Sequence, residues 1–276
     1  MSKRIVCILF SVGILILFSW FGPPVSRAQA FTDQGSFINY AYATWIGTGY
    51  YSVGEQDVWI FRIPLTSYTL REATEEKIGY RLLFPVTLGF HNFDVIPDSV
   101  ATIAFVPGLE MSIPVTRNWY LRPFAQIGYG NDFESKKGAW IFGAGVRSLA
   151  TFPWDKWELE LGNTLMAASQ NSNEGFDNGF SMFEIGLNVK NPWSFTFLDR
   201  DSNIDTFFVY THLINDMEFY QLNRPLEEVG RLYQFGATLQ PDKEYKIWFV
   251  KLKAAGLSYL FGDGVKAIKL HTGFPF

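Results

Sequence analysis

The chain is poor in the residues that mark several broad protein classes. Its 276 residues include one cysteine, Cys7, so no intramolecular disulfide can form. Charged residues make up only 18%, with 23 Lys+Arg against 27 Asp+Glu, which excludes a basic nucleic-acid binder and an acidic disordered tail alike. Past residue 22 no run of roughly 20 apolar residues occurs, and a bundle of membrane-spanning helices is excluded with it. What the chain has in excess is aromatic side chains: 27 Phe, 13 Tyr and 9 Trp, beside 24 Gly. Mean hydropathy is nevertheless only +0.04. The apolar surface is therefore spread in single residues, as in a large core or a surface that faces something other than water.

The first thirty residues read as an address. Lys3-Arg4, an apolar stretch from Ile5 to Gly22 and the small-residue triplet Ala28-Gln29-Ala30 follow the order of a cleaved secretory signal peptide, with cleavage before Phe31. An uncleaved membrane anchor is the alternative reading. Cys7 does not follow a small-residue cleavage box, so lipoprotein processing is not expected. Cleavage would remove Lys3, Arg4 and Arg27 and no acid; 23 Lys+Arg less three leaves 20 against 27 Asp+Glu, a formal charge of −7. The expected organisation is a signal peptide at 1–30 and one domain at 31–276.

That domain carries a period of two. Ile78, Tyr80, Leu82, Phe84, Val86 and Leu88 alternate with Gly79, Arg81, Leu83, Pro85, Thr87 and Gly89. The same split sets Ile103, Phe105, Leu109, Met111 and Ile113 against Thr102, Gly108, Glu110 and Ser112, and Trp157, Leu159, Leu161 and Leu165 against Glu158, Glu160, Gly162 and Thr164. Successive strand side chains point to opposite faces, so each segment predicts a strand with one apolar face and one face of Gly, Glu, Arg and Thr with few large aliphatics. Twelve segments qualify: 37–51, 56–70, 77–90, 99–115, 119–130, 139–151, 157–169, 179–190, 204–214, 229–239, 247–261 and 265–276. They run from 11 to 17 residues, whereas soluble strands average about 5–6 and a tilted membrane-spanning strand needs about 9–11. Alternation is poorest in 37–51 and 204–214, which leaves ten strands as an alternative. Aromatics gather at segment ends: Tyr50, Tyr51, Trp59, Phe90, Tyr129 and Trp140 at one set, Tyr68, Trp119, Trp154, Trp157, Trp193, Tyr245 and Trp248 at the other. Such paired belts suit the two membrane interfaces. The expected fold is all-β, a closed antiparallel transmembrane β-barrel of about twelve strands. Pro64, Pro85, Pro107 and Pro123 fall inside strands, where each removes a ladder donor, so bulges or rim positions are expected there.

The chain ends with Ile268, Leu270, Thr272, Phe274 and Phe276 on one predicted face. This resembles the terminal assembly signal of bacterial outer-membrane β-barrels, with Leu270, Phe274 and Phe276 as its residues. The preceding stretch Ala255-Gly256-Leu257-Ser258-Tyr259-Leu260-Phe261-Gly262-Asp263-Gly264 resembles the end of autotransporter-type barrels and their solitary, passenger-free relatives. The resemblance implies the outer membrane of a Gram-negative cell, contact with outer-membrane lipid and lipopolysaccharide, and the barrel-assembly machinery as a partner. Only about six residues separate Phe31 from the first predicted strand, so no passenger is expected.

Chemistry is sparse. Of the three histidines, His212 has no Ser within a few residues, His91 falls in a predicted loop and His271 sits on the predicted lumen face of the last strand; no lipase-like or deacylase-like motif occurs, and polar rim or lumen roles are expected. Asp199, Asp201, Asn203 and Asp205 alternate as in a calcium loop, but Ile204 stands where that loop has glycine and Tyr210 where it has its bidentate acid; a solvated turn is the better reading. Gly128-x-Gly130 and Gly143-x-Gly145 lie within strands and leave room for larger lumen neighbours. The informative residues are the lumen charges Arg62, Arg81, Arg122 and Arg147 against Glu110, Glu158, Glu160 and Glu184, with Lys190, Lys251, Lys253 and Lys269 as further candidates. Both signs on a face turned from lipid predict a salt-bridged, largely plugged lumen, with a narrow pore for small solutes as the alternative and an outer-membrane lipid-modifying enzyme as a second. No enzyme activity, cofactor, metal or nucleic-acid partner is expected, and the barrel is expected to be a porin-like monomer.

Overall fold

The computed structural model describes residues 44–53, 56–63, 67–91, 102–133, 136–172, 178–197, 199–219, 227–242, 245–247, 250–252 and 254–276. The expected signal peptide at 1–30, Pro64, Trp248 and Lys253 lie outside the described residues. The elements are β1 (Gly49–Val53), β2 (Gln56–Arg62), β3 (Ser67–Arg71), β4 (Gly79–Leu83), β5 (Val86–His91), β6 (Thr102–Phe105), β7 (Gly108–Thr116), β8 (Trp119–Asp132), β9 (Gly138–Trp154), β10 (Trp157–Ser172), β11 (Asn178–Phe197), β12 (Arg200–Phe219), β13 (Glu227–Pro241), β14 (Tyr245–Ile247), β15 (Val250–Leu252), β16 (Ala255–Gly262) and β17 (Val265–His271).

These pair into a closed antiparallel barrel of twelve strands. Three barrel strands are each interrupted once, so β2 with β3, β4 with β5 and β6 with β7 count as single strands. The ring runs β8, β6, β5, β2, β1, β17, β16, β13, β12, β11, β10, β9 and returns to β8. It closes first strand on last, with Gly49 opposite Lys269 and Val53 opposite Val265. The weakly alternating segment 204–214 belongs to a strand paired along both edges, which decides for twelve strands over ten.

The interruptions follow the prolines. Pro85 separates β4 from β5 and Pro107 separates β6 from β7, because neither ring nitrogen can donate to a ladder. The breaks lie side by side in neighbouring strands. The Val106 amide donates to the Pro85 carbonyl at 3.2 Å, the Ile127 amide to the Pro107 carbonyl at 2.9 Å and the Ile63 amide to the Val86 carbonyl at 3.0 Å, so the offset chains still satisfy one another. Pro123 breaks nothing; it sits opposite Val146 within β8. The expected strand 247–261 is corrected: Tyr245–Ile247 and Val250–Leu252 form a separate hairpin and the barrel strand starts at Ala255.

The two faces separate as the period of two requires. Along β8, Phe124, Gln126, Gly128, Gly130 and Asp132 are buried while Ala125, Ile127 and Tyr129 are exposed. The outer surface is apolar, with Trp140, Ile185, Phe235, Leu257, Ile268 and Leu270 all exposed. The inner face is less uniformly polar than its composition predicts. Ile60, Ile141, Met166, Phe180, Met182, Leu213 and Leu232 form one buried apolar cluster, because their strand positions share the inward phase with Gln170, Thr211 and Gln234. Belts of aromatics do meet at strand ends: Tyr50 and Trp59 lie 5.2 Å apart between ring centres, Tyr129 and Trp140 5.6 Å, and Trp157 and Trp193 5.6 Å. Tyr51 is a correction. It points inward, only 3% exposed, and its hydroxyl donates to the Ile46 and Gly47 carbonyls.

The C-terminal face is corrected too. Ile268 and Leu270 point outward, but the strand stops at His271 and Gly273 adopts φ +141, a conformation that suits glycine. The chain then turns inward. Phe274 lies 5.9 Å from the buried Phe207 and 4.9 Å from Phe276 between ring centres, and the Phe276 ring rests on Gly162 and Gly186, where neither position has room for a Cβ.

The seam at the proline breaks makes a sharp demand on one residue. A Cβ on Gly128 would run into the Phe105 carbonyl and the Val106 backbone, neither of which can rotate away. Gly128→Val should therefore destabilise the folded barrel by about 1–3 kcal/mol, read as an earlier urea midpoint in detergent. An unchanged midpoint would mean that the seam has slack.

Candidate functional site: the lumenal charge network

Strand register places the inward charges. Arg81 on β4 lies directly opposite Glu110 on β7, and opposite charges facing across a ladder attract. The Glu110 side chain is fully buried and accepts from two guanidiniums: the Arg81 Nη2 group, and Arg147 Nη1 at 2.8 Å. Arg147 also lies 4.4 Å over the Phe124 ring, a cation–π contact that holds its plane. One carboxylate thus joins β4, β7 and β9.

A second group spans β10, β11, β12 and β13. Glu158 faces Lys190 in register, and Lys190 Nζ contacts Glu158 at 2.6 Å and Glu160 at 2.7 Å. The Asn188 amide donates to the other Glu160 oxygen at 2.8 Å, and Gln240 donates to Asp205. Glu184 stands apart from these acids, accepting from the Thr211 hydroxyl at 3.0 Å. Thus Arg81 and Arg147 meet Glu110 as a trio, whereas Glu158 and Glu160 meet Lys190 instead of arginine. Arg62 and Arg122 make no ion pair among the described residues, and the Arg62 Nε is buried without a hydrogen-bond partner there. The side chain of Lys251 lies outside the described residues.

Position-by-position reading missed a third group. Lys269 Nζ donates to the Gln234 oxygen at 2.9 Å, the Gln234 amide lies 3.1 Å from His271 Nε2, and Ser258 Oγ lies 2.7 Å from that same nitrogen. Ser258 and His271 are thirteen residues apart, too far for a search confined to near neighbours. The hairpin signal Gly262-Asp263-Gly264 between two alternating runs would have brought them together. His212, by contrast, points outward, with Nδ1 3.3 Å from the Gly230 carbonyl. The solvated turn expected at Asp199–Asp205 is corrected: only Asp199, at φ 60, lies in a turn, while Arg200 onward belongs to β12, with Ser202 and Asp205 buried. Among the described residues no group of three or more His, Cys, Asp or Glu could hold a metal ion.

Two aromatic groups complete the interior. Trp45, in a single helical turn ahead of β1, lies 5.4 Å from Phe124 between ring centres, and its indole occupies the space a Cβ on Gly143 would need. Phe276 uses Gly162 and Gly186 in the same way. Glycines on three successive strands, β9, β10 and β11, thus make room for rings from the two ends of the described chain.

Fold and network together define a closed twelve-stranded antiparallel β-barrel with an apolar outside, an architecture consistent with an outer-membrane barrel. Comparison with protein-family models, with curated proteins and with solved structures finds no match.

Because Glu110 is buried between two guanidiniums, removing its charge leaves both uncompensated. Glu110→Gln should cost about 3–5 kcal/mol in a reversible urea titration, whereas replacing all three of Arg81, Glu110 and Arg147 by apolar residues of similar volume should cost far less. Equal losses for both variants would contradict a carboxylate-centred trio.

Proposed function

We propose that the chain is an integral outer-membrane β-barrel of Gram-negative type, exported by a cleaved signal peptide. Its role is structural or surface-interacting, its type is autotransporter-like without a passenger, and its lumen is largely filled. The observation that carries this reading is the seating of Trp45 and Phe276 against lumen glycines. Inserted rings occupy the interior that a channel would leave to water. The Glu110 trio and the Lys190 group support the same reading, since their charges satisfy one another across strands instead of facing an open axis. Export and membrane insertion are supported by the leader pattern at 1–30 and by the apolar outer face. Assembly by the barrel-assembly machinery is supported by the terminal strand with its outward Ile268 and Leu270. We take the barrel to be a monomer in contact with outer-membrane lipid and lipopolysaccharide, and to need no cofactor.

The 2.7 Å approach of Ser258 to His271 favours a second reading, a lipid-modifying enzyme with a serine nucleophile and a histidine base. Against it, the pair faces the interior, away from the apolar surface where acyl chains would lie, and the Gln234 amide competes for the same ring nitrogen. Lys269, bound to that glutamine, keeps a cation close by. We therefore read the pair as part of a structural network.

Reconstituted in planar bilayers, the protein should give no stepwise conductance, and the double variant Trp45→Ala/Phe276→Ala should give small discrete steps. Regular steps from the unaltered protein would favour the pore. The lipid contact has its own measure. Phe235→Arg, on the exposed outer face, should cost about 2–4 kcal/mol if the position lies near the bilayer midplane, against under about 0.5 kcal/mol at a water-facing position. A cost in the lower range would sink the membrane reading of this face.

A further inference from the structure

The interior holds more arginine than it neutralises. Arg62, Arg81, Arg122 and Arg147 all carry the inward phase of their strands, and Glu110 is the one carboxylate that forms ion pairs with any of them among the described residues. Glu184 lies within electrostatic reach of Arg147 but is shared with Lys269, so the surplus remains three positive charges over these seven groups. Register sharpens the imbalance: Arg122 on β8 stands directly opposite Arg147 on β9, a like-charge pairing that destabilises a ladder unless something compensates it. Arg147 turns to Glu110. Arg122 does not, and it feels Arg81 and Arg147 as well as Glu110.

Arg122 instead lines a cavity of about 250 Å3 between β3, β4, β7 and β8, with Arg71, Glu72, Arg81, Ser112 and Tyr120 on its wall. Arg71 is held in place, its Nε donating to the Ile78 carbonyl at 2.8 Å and its guanidinium 4.8 Å over the Tyr80 ring. That leaves its terminal amino groups for another acceptor. The single acid of the wall, Glu72, sits on the exposed stretch after β3. Three guanidiniums from three strands, with a serine and a tyrosine hydroxyl between them, therefore surround a hollow that opens at one end of the barrel.

We propose that this cavity is a binding site for a phosphate-type oxyanion, either as a soluble phosphate or as the headgroup of a phospholipid. A tetrahedral oxyanion has enough oxygens to engage guanidiniums from several directions at once, each through paired N–H groups; a carboxylate has only two. Binding would compensate the Arg122–Arg147 juxtaposition that Glu110 leaves open. The proposal concerns this cavity alone and stands whether or not the lumen conducts.

The test uses the protein purified from membranes into octyl glucoside, free of phosphate, and titrated with inorganic phosphate by calorimetry. Saturable binding to one site is expected, weakening as sodium chloride is raised because the attraction is between charges. Arg122→Gln should lower the affinity at least about tenfold, as loss of one charge-assisted bidentate contact implies. Arg117→Gln, which removes an exposed ion pair to Glu75 outside the cavity, should leave affinity unchanged. Retention of heat-modifiable migration on a gel shows that each variant is folded; if Arg122→Gln fails that check, Arg71→Gln at the exposed end of the cavity replaces it. No saturable binding, or equal affinity in the folded arginine variant and the unaltered protein, would overturn the proposal. Displacement by glycerol phosphate identifies a soluble ester as the source, displacement by phosphatidic acid in the micelle alone a lipid headgroup, and displacement by neither orthophosphate itself.

Discussion

Five residue pairs between β1 and β17 hold the barrel closed, and the rest of the structure depends on that closure. A sheet with two free edges could slide, splay or pair with another chain; closure removes those edges, leaving only the short β3 in the barrel sheet paired on one side alone among the described residues. Once closed, the ring allows each strand residue only an inward or an outward position. Outside, apolar side chains stand free. Inside, every group must find a partner or a gap within a fixed space, and the consequences appear residue by residue. Gly143, Gly162 and Gly186 stay small because Trp45 and Phe276 lie over them. Glu110 can be buried completely because two guanidiniums reach it.

The period of two made the barrel legible, since a one-residue error would have turned every apolar side chain from one face to the other. Most of the twelve strands follow from it, and the prolines at 85 and 107 mark real interruptions; the exceptions are 37–51, where 44–46 form a helical turn and the strand is Gly49–Val53, and 247–261, where the barrel strand begins only at Ala255. What alternation cannot convey is the identity of the inner face. Ile141, Phe180 and Leu213 are apolar yet inward, because the interior has an apolar layer as well as a polar one. Tyr51 passed for a belt residue since an aromatic at a strand end satisfies both readings; its hydroxyl bonds to the turn at Ile46 and Gly47, and that is tertiary information. Phe274 and Phe276 continue the outward phase on paper, but a phase holds only while the strand continues, and Gly273 ends that continuity. The glycine before the last aromatic pair was the available signal.

The charges were legible as a set and not as pairs. Composition and phase identified Arg81, Glu110 and Arg147 as inward, while their meeting required the register between β4 and β7 and the reach of a side chain from β9. Register likewise gave Glu158 to Lys190, and a hairpin brought Ser258 to His271. Partners in a barrel are set by the stagger of neighbouring strands, so the same inward residues shifted by two positions would make a different network. Single-residue reading lists the candidates, and strand pairing chooses among them.

That choice bears on what the interior is for. A lumen serving stability alone gains from opposite charges in register, as at Glu158 and Lys190, or from apolar packing, as around Ile141 and Phe180. It gains nothing from two guanidiniums in register, since like charges facing each other across a ladder repel and a long cationic side chain loses rotamer freedom on burial. Arg122 opposite Arg147 is such a pair, and Glu110 accounts for only one of them. Arg122 faces a cavity instead of a carboxylate. One end of the barrel therefore carries a local conflict in an otherwise self-consistent register, and conflicts of that kind mark the places where a sequence serves something besides its own fold.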